Sequence, residues 1–145
     1  LHTDLGDIKL EIFCEKCPRT AENFLAHCAQ GTYTNTKVVR NIKSFIVQFG
    51  DPTNTGKGGE SIWGGKFEDE LRQDLRHDQR TYGKHTALDD KYTVFGKVLM
   101  GAEMEPSSTL SKLETVPVDK KSRPKTPILI KDVTIHANPI AERKA

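Results

Sequence analysis

Apolar and polar residues alternate most regularly between residues 38 and 51, and this pattern predicts two short β-strands. In the second run Phe45, Val47 and Phe49 alternate with Ile46 and Gln48. A period of two sends neighbouring side chains to opposite faces of a sheet. Arg40 and Gln48 interrupt these apolar runs, and burying them without partners would cost free energy. They therefore lie either on a solvated edge strand or on strands that face a groove.

The pattern before this stretch predicts a β-hairpin followed by one amphipathic helix. Residues 1–3 and 8–12 flank a short connection that contains Gly6, where a hairpin can require a positive φ. Pro18 suits the first helical position, and Gly31 suits the residue after the last. We therefore predict a helix over residues 18–30.

The pattern after this stretch predicts further short strands with little helix. The predicted segments are a glycine-rich loop at 51–61, a solvated segment at 67–80, a strand at 92–99, a serine-capped helix at 107–114, strands at 128–130 and 133–135, and a frayed tail at 141–145. Many short strands with two helices indicate a mainly antiparallel barrel or sandwich.

Length and charge narrow the function without identifying it. The chain has 145 residues, a net charge of +2 and three cysteines. We expect one domain, and no direct nucleic-acid binding or membrane association, because charges are interspersed and no long apolar run occurs. Three cysteines do not suggest a disulfide framework, so we expect a reducing compartment, the nucleus or cytoplasm.

Cys14 and Cys17 have the C-x-x-C spacing of redox and zinc sites. Cys17 precedes the predicted helix, and a helix N-terminus lowers a thiol pKa. A zinc site needs four ligands and only Cys28 remains nearby, while the redox motif belongs in a βαβ unit that this pattern does not predict. We interpret these cysteines as structural and keep redox activity as a lesser hypothesis.

Several motifs together resemble the cyclophilins, the cyclosporin-binding peptidyl-prolyl cis-trans isomerases. The resemblance is carried by Arg40, Phe45 and Gln48 with Gly50-Asp51, and by residues 18–24, 61–70, 88–98 and 130–135. It covers nearly the whole chain, and residues 13–15 and 134–139 are similar to the small cyclophilin-like-3 group. It implies an eight-stranded closed antiparallel β-barrel capped by two α-helices.

The resemblance also implies a role for each residue of a proline groove. Arg40 matches the catalytic arginine, Phe45 and Ile46 match the pocket for the proline ring, and Gln48 matches the amide that holds the substrate backbone. Gly56 matches a loop position beside the groove, and Leu88 and Tyr92 match its far wall.

The same resemblance implies a set of partners and no cofactor or metal. It implies a monomer that binds proline-containing peptides, with spliceosomal proteins as partners. Cyclosporin is also implied, with weakened affinity, because Ala87 stands where the family has tryptophan. Activity on X-Pro bonds is the leading hypothesis, with a role in protein folding or spliceosome remodelling. A proline-peptide binding or scaffold module of a splicing complex with weak or no turnover is the alternative.

The sequence departs from the family at two places near the groove. Val38 and Val39 replace the Phe-His pair that precedes the catalytic arginine. A strand-and-loop segment that forms part of the groove is missing between Arg80 and Thr81, so we expect the barrel to be incomplete there. A spliced or mispredicted variant, a sequence recorded without a stretch that the protein contains, and a protein with altered closure would each explain it.

Overall fold

The structure is a computed structural model that describes residues 1–77, 88–89 and 91–144. Within these residues it contains eight strands and three helices. The strands are β1 (His2–Thr3), β2 (Gly6–Asp7), β3 (Lys9–Ile12), β4 (Thr36–Lys37), β5 (Arg40–Ile42), β6 (Ile46–Gln48), β7 (Gly96–Met100) and β8 (Leu129–Asp132). The helices are α1 (Pro18–Gln30), α2 (Thr109–Thr115) and α3 (Pro139–Lys144).

The strands pair antiparallel in three sheets, and the fold is mainly β with few helices. One sheet has the order β2-β1-β8-β4, and two further ladders join β3 to β7 and β5 to β6. The predicted N-terminal hairpin forms, but its turn is tighter and its second strand is β2, whose Gly6 and Asp7 pair with Thr3 and His2. Residues 9–12, predicted to belong to that second strand, form β3 and pair with β7 instead. No single ladder closes on itself in the part of the chain that the structure describes.

The core lies where α2 packs between the first strands and the chain that leads to β8. Its buried members are Ile8, Val38, Leu110, Leu113 and Ile128. Val38 immediately precedes the segment that carries Arg40, so the predicted site is built on the core. None of the helices in the described ranges is long and apolar enough to cross a membrane.

Helix α1 has the predicted bounds, but its N-terminus is capped from a distant segment. The side chain of Cys17 at the N-cap makes no capping hydrogen bond, and the first turn contains no acidic residue. Instead the Glu70 carboxylate accepts hydrogen bonds from Thr20 N at 2.6 Å, Thr20 Oγ1 at 2.7 Å and Arg19 N at 3.3 Å. At the other end Gly31 adopts φ 76° and ends the helix as predicted.

Replacing Glu70 by alanine should destabilise the protein because it exposes the first amide groups of α1. We expect the free energy of unfolding to fall by about 1 to 2 kcal/mol, the range of a lost N-terminal cap. Urea titration measures this change. Glu68→Ala, at an exposed position two residues earlier, is the matched control and should change stability by less than about 0.5 kcal/mol. Equal effects of the two substitutions would contradict the capping role.

The C-terminal third differs from the prediction in its boundaries. Helix α2 begins after Ser108, whose side chain accepts from Ser111 N at 3.3 Å, so the serine cap is confirmed. Strand β7 starts at Gly96 rather than at 92. The single strand β8 replaces the two predicted strands, and the prediction of a strand at 133–135 is wrong.

The predicted frayed tail is wrong for residues 141–144, which belong to α3. Pro139 occupies the first helical position, where its missing N–H costs nothing. The side-chain oxygen of Asn138 accepts from Ala141 N at 3.1 Å and caps the helix. These two signals were present in the sequence, and they outweigh the polar composition of the tail.

Candidate active site

The β5–β6 hairpin brings Arg40 and Gln48 side by side. The register pairs Arg40 with Gln48, Asn41 with Val47 and Ile42 with Ile46. Residues 43–45 form the turn, where Ser44 has φ 61° and Phe45 N donates to Ile42 O at 3.0 Å. The two predicted strands are therefore found, but they are shorter than predicted: Val38 and Val39 lie before β5, Phe45 lies in the turn, and Phe49 follows β6.

The side chains of the hairpin divide between solvent and core. Arg40 is exposed, and Phe45, Ile46 and Gln48 are half-buried. Val38 and Val39 are each only 5% exposed, so the strand that leads to Arg40 is firmly packed although it lacks the family's Phe-His pair. The site thus places an accessible guanidinium beside an amide and apolar side chains.

Asn41 fixes the hairpin to the rest of the protein, a role that no local pattern predicted. It is 2% exposed, and its Nδ2 donates to Leu113 O of α2 at 2.6 Å. Its backbone N donates to Ser122 O at 2.7 Å. Because alternate side chains of a strand face opposite ways, anchoring Asn41 inward turns Arg40 outward.

Asp51 organises the glycine-rich loop that follows β6. Its buried carboxylate accepts hydrogen bonds from both the backbone N and the hydroxyl of Thr53 and of Thr55, and from Gly56 N at 2.8 Å and Gly58 N at 3.0 Å. Burial alone would raise the pKa of Asp51, but the hydrogen bonds from Thr53, Gly58 and Gly56 outweigh it and hold the pKa far below its usual range. The loop is therefore an ordered structure built around one anion.

This ordered loop places Gly56 beside the strand that carries Arg40. Gly56 has φ +85°, and a Cβ built there would lie 3.8 Å from Val39 Cγ2. Arg123 holds the same loop from outside, since its Nη1 donates to Asn54 O at 3.2 Å and its Nη2 to Thr55 O at 2.8 Å. The structure thus places Gly56 next to Val39, the residue before the hairpin, and its role beside a groove stays a prediction.

Leu88 and Tyr92 lie in a second turn, closed by Lys91 N donating to Leu88 O at 3.3 Å. This turn is anchored to His77, whose backbone N donates to Asp89 Oδ1 at 2.8 Å, and to Glu70, whose backbone N donates to Thr93 Oγ1 at 3.2 Å. Leu88 is half-buried and Tyr92 is 61% exposed. Their place in a far wall of the groove stays a prediction, and Ala87 and the Arg80–Thr81 junction lie outside the described residues.

Cys17 does not have the reactive thiol that its place before a helix predicted. It is 0% exposed, and its Sγ lies 3.4 Å from Val94 O and 3.7 Å from Glu70 O, both acceptors. Burial raises the pKa of Cys17, and the neighbouring Glu70 charge raises it further. Burial also raises the pKa of Cys28 to about 11. The prediction of a lowered Cys17 pKa is therefore wrong, first because the thiol is buried and second because Glu70 supplies negative charge at the same helix end.

Thiol labelling should separate the three cysteines by burial. We expect an aromatic disulfide reagent at pH 8 to label half-buried Cys14 first, and Cys17 and Cys28 at least about 100-fold more slowly, because labelling must await opening of the fold. Mass spectrometry of digested protein gives the rate for each cysteine. A Cys17 that reacts as fast as Cys14 would revive the redox hypothesis, and Cys17→Ser would then have to slow the reaction.

Comparison with known proteins identifies the class to which this fold and hairpin belong. The family model for cyclophilin type peptidyl-prolyl cis-trans isomerase/CLD matches residues 1–83 and again residues 80–135. The chain belongs to this family of peptidyl-prolyl cis-trans isomerases. The two matched pieces overlap at residues 80–83, where a segment is predicted to be missing between Arg80 and Thr81.

Individual relatives show which members of the family this chain is similar to. The chain is 53% identical to peptidyl-prolyl cis-trans isomerase-like 3 of Rhizopus delemar, over 99% of this chain and 97% of the relative, and 52% identical to that of Homo sapiens, over 98% of each. The human alignment spans 162 residues, more than the 145 of this chain, so it includes positions that this chain lacks.

A solved structure shares the fold over almost its full length. It is the cyclophilin type peptidyl-prolyl cis-trans isomerase of Cryptosporidium parvum, crystallised in the presence of the dipeptide Ala-Pro. The TM-score is 0.88 with 42% sequence identity, and the comparison covers 95% of this chain and 98% of that one.

Proposed function

We propose that this chain isomerises X-Pro bonds of peptides and proteins at the β5–β6 hairpin, with Arg40 as the catalytic residue. The observation that carries the proposal is the pairing of Arg40 with Gln48 across the hairpin. An exposed guanidinium lies next to an amide that can hold a peptide backbone, with half-buried Phe45 and Ile46 supplying apolar surface. The Ala-Pro dipeptide of the Cryptosporidium structure supports a proline-containing ligand.

The chemistry of the X-Pro bond explains why an arginine suffices. Rotation breaks amide resonance and meets a barrier of about 18 to 20 kcal/mol. In the twisted state the prolyl nitrogen becomes more basic, and a guanidinium that donates to it binds that state better than either planar isomer. Gln48 would hold the backbone while Phe45 and Ile46 hold the ring, so that one half of the peptide turns against the other. The bond neither breaks nor forms, so no nucleophile is needed.

Leu88, Tyr92 and Gly56 complete the groove in this proposal. Gly56 is carried to the hairpin by the loop that Asp51 orders. The turn with Leu88 and Tyr92 is tied to His77 and Glu70, and we place it opposite Arg40 by the resemblance. We likewise infer that the three sheets together form the closed barrel of the family. The structural similarity to the Cryptosporidium protein supports this proposal.

Turnover and binding must be measured separately, because the family match is interrupted near the groove. A protease-coupled assay with a neutral Ala-Pro-Phe peptide measures cis-to-trans conversion, and titration of the same peptide measures affinity. The proposal predicts both rate enhancement and binding. Binding of the peptide without a faster cis-to-trans conversion would show that the chain is a proline-peptide binding module rather than an enzyme. Association with spliceosomal proteins and a location in the nucleus or cytoplasm are further proposals, which purification of the tagged chain from fractionated cells would test.

A further inference from the structure

A turn rich in lysine lies against the strand that carries Arg40. We call residues 119–125 the lysine turn. The Asp119 side chain closes it by accepting from Lys121 N at 2.8 Å and Arg123 N at 3.1 Å, and Ser122 N donates to Asp119 O at 3.0 Å. Val118 and Pro124 form an antiparallel bridge at its base. The turn is therefore ordered, and its only carboxylate is engaged by backbone amides.

Two hydrogen-bonded contacts set this turn beside the proposed groove. Ser122 O accepts from Asn41 N at 2.7 Å, which places the turn next to β5. The Arg123 guanidinium donates to Asn54 O and Thr55 O, which places it against the loop of Gly56. Lys120, Lys121 and Lys125 are exposed. A peptide bound along Arg40 would therefore lie next to the turn that carries these three lysines.

Positive charge is concentrated on the segments that meet here. Residues 37–48, 51–58 and 112–127 contain nine Lys or Arg and three Asp or Glu, whereas the whole chain has 22 and 20. Two of the three acids, Asp51 and Asp119, accept hydrogen bonds from backbone amides. The lysine ion pairs seen within the described ranges involve Lys16 and Lys97, elsewhere in the fold.

This excess favours an anionic peptide over a nucleic acid. Single-stranded nucleic acids bind where several bases stack on aromatic side chains. Residues 37–48, 51–58 and 112–127 together contain one aromatic residue, Phe45, which the proposed function assigns to the proline ring. A peptide in the groove needs only an acidic side chain near its proline. Opposite charges at such a rim raise the association rate and the discrimination between partners.

We propose that the preferred substrates of this chain are X-Pro segments flanked by acidic side chains, whose carboxylates or phosphates contact the lysine turn. The proposal rests on the proposed function, because it takes the groove at Arg40 as the binding site. It adds a substrate class to that site. Lys120 and Lys121 set the preference, while Arg123 positions the loop.

Four labelled peptides of one length test the preference by fluorescence anisotropy. They are a neutral Ala-Pro peptide, the same peptide with two flanking Glu, with two phosphoserines, and with two Glu but Ala in place of Pro. At low salt we expect the Glu peptide to bind about tenfold more tightly than the neutral one, because it can form two exposed ion pairs with the lysine turn. Comparison of the phosphoserine peptide with the Glu peptide shows whether the lysine turn prefers phosphates or carboxylates. In about 1 M salt, where the Debye length is about 3 Å, the advantage should vanish.

Charge reversal locates the preference on the turn. Lys120→Glu/Lys121→Glu should bring the ratio of acidic to neutral affinity to about 1. The matched control Lys9→Glu/Lys66→Glu makes the same change of net charge on β3 and beside Trp63, and it should keep most of that ratio. An unchanged ratio in the lysine-turn variant, equal binding of the peptide without proline, or tighter binding of a single-stranded RNA of equal charge would overturn the proposal.

Isomerisation rates of the same peptides separate this inference from the function on which it rests. Catalysis of the neutral and acidic peptides at equal kcat/KM would keep the proposed function and remove the preference. Preferential binding of acidic proline peptides without any rate enhancement would keep the preference and remove the enzyme.

Discussion

Replacing Arg40 by alanine is expected to lower kcat/KM for a neutral Ala-Pro-Phe peptide by about 100-fold, the effect of losing one hydrogen-bond donor aimed at the transition state. Arg40 is exposed on β5, so its removal leaves no buried group unpaired and should cost little stability. The loss should appear mainly in kcat, because the guanidinium acts on the twisted bond more than on the planar ones. The protease-coupled assay measures it.

Two further variants show whether the guanidinium itself matters. Arg40→Lys keeps the charge but loses the planar set of donors, and we expect it to recover only part of the activity. Lys9→Ala removes an exposed cation from β3 and should behave as the wild type. A thermal melt of each variant within about 2 °C of the wild type would show that the fold is intact. Equal rates for Arg40→Ala and the wild type would remove the catalytic assignment.

Replacing Asp51 by asparagine should unfold the glycine-rich loop at 51–61 and destabilise the whole protein. Six donors from Thr53, Thr55, Gly56 and Gly58 converge on this carboxylate. The amide keeps the shape but loses the charge and turns an NH2 group toward these donors. We expect the free energy of unfolding to fall by about 3 kcal/mol, the upper range for a hydrogen-bonded charge.

Asp119→Asn is the matched control for this prediction. Asp119 also accepts backbone N–H groups, from Lys121 and Arg123, but it is exposed. Its replacement should cost less than about 1 kcal/mol. Urea titration of the two variants measures the difference, and an Asp51→Asn protein as stable as Asp119→Asn would contradict the central role of Asp51.

The low pKa of Asp51 also predicts a pH dependence. Because its pKa is lower in the folded than in the unfolded protein, the unfolded chain binds the proton first as pH falls. Its stabilisation is therefore present above about pH 4, the unfolded pKa, and is lost progressively below it. The difference in stability between wild type and Asp51→Asn should be largest near neutral pH and shrink in acid. A difference that stays constant from pH 7 to pH 3 would contradict this linkage.

Local sequence patterns predicted the elements that carry the site. Alternation between residues 38 and 49 located both strands of the hairpin, and their antiparallel register brings Arg40 opposite Gln48. Pro18 and Gly31 marked both ends of α1 correctly. These features depend on neighbours in sequence, which is why a pattern of a few residues sufficed.

Contacts between distant segments could not be predicted in this way. Glu70 caps α1 from fifty residues away. Burial raises the pKa of Cys17, against the expected direction, and the Glu70 charge adds to that rise. Asn41 reaches Leu113 O, and Arg123 reaches Asn54 O. The residues next to Asn41 and Arg123 in sequence do not indicate these acceptors, because donor and acceptor come together only when distant segments fold against each other.

The most direct test of the central claim measures exchange between the cis and trans forms of a neutral Ala-Pro peptide by NMR, with no protease present. With wild-type protein at catalytic concentration, we expect exchange cross-peaks between the two prolyl isomers within about a second, whereas uncatalysed exchange takes tens to hundreds of seconds. Arg40→Ala at the same concentration should nearly abolish these cross-peaks. Wild-type protein that binds the peptide but leaves its exchange at the uncatalysed rate would contradict the account.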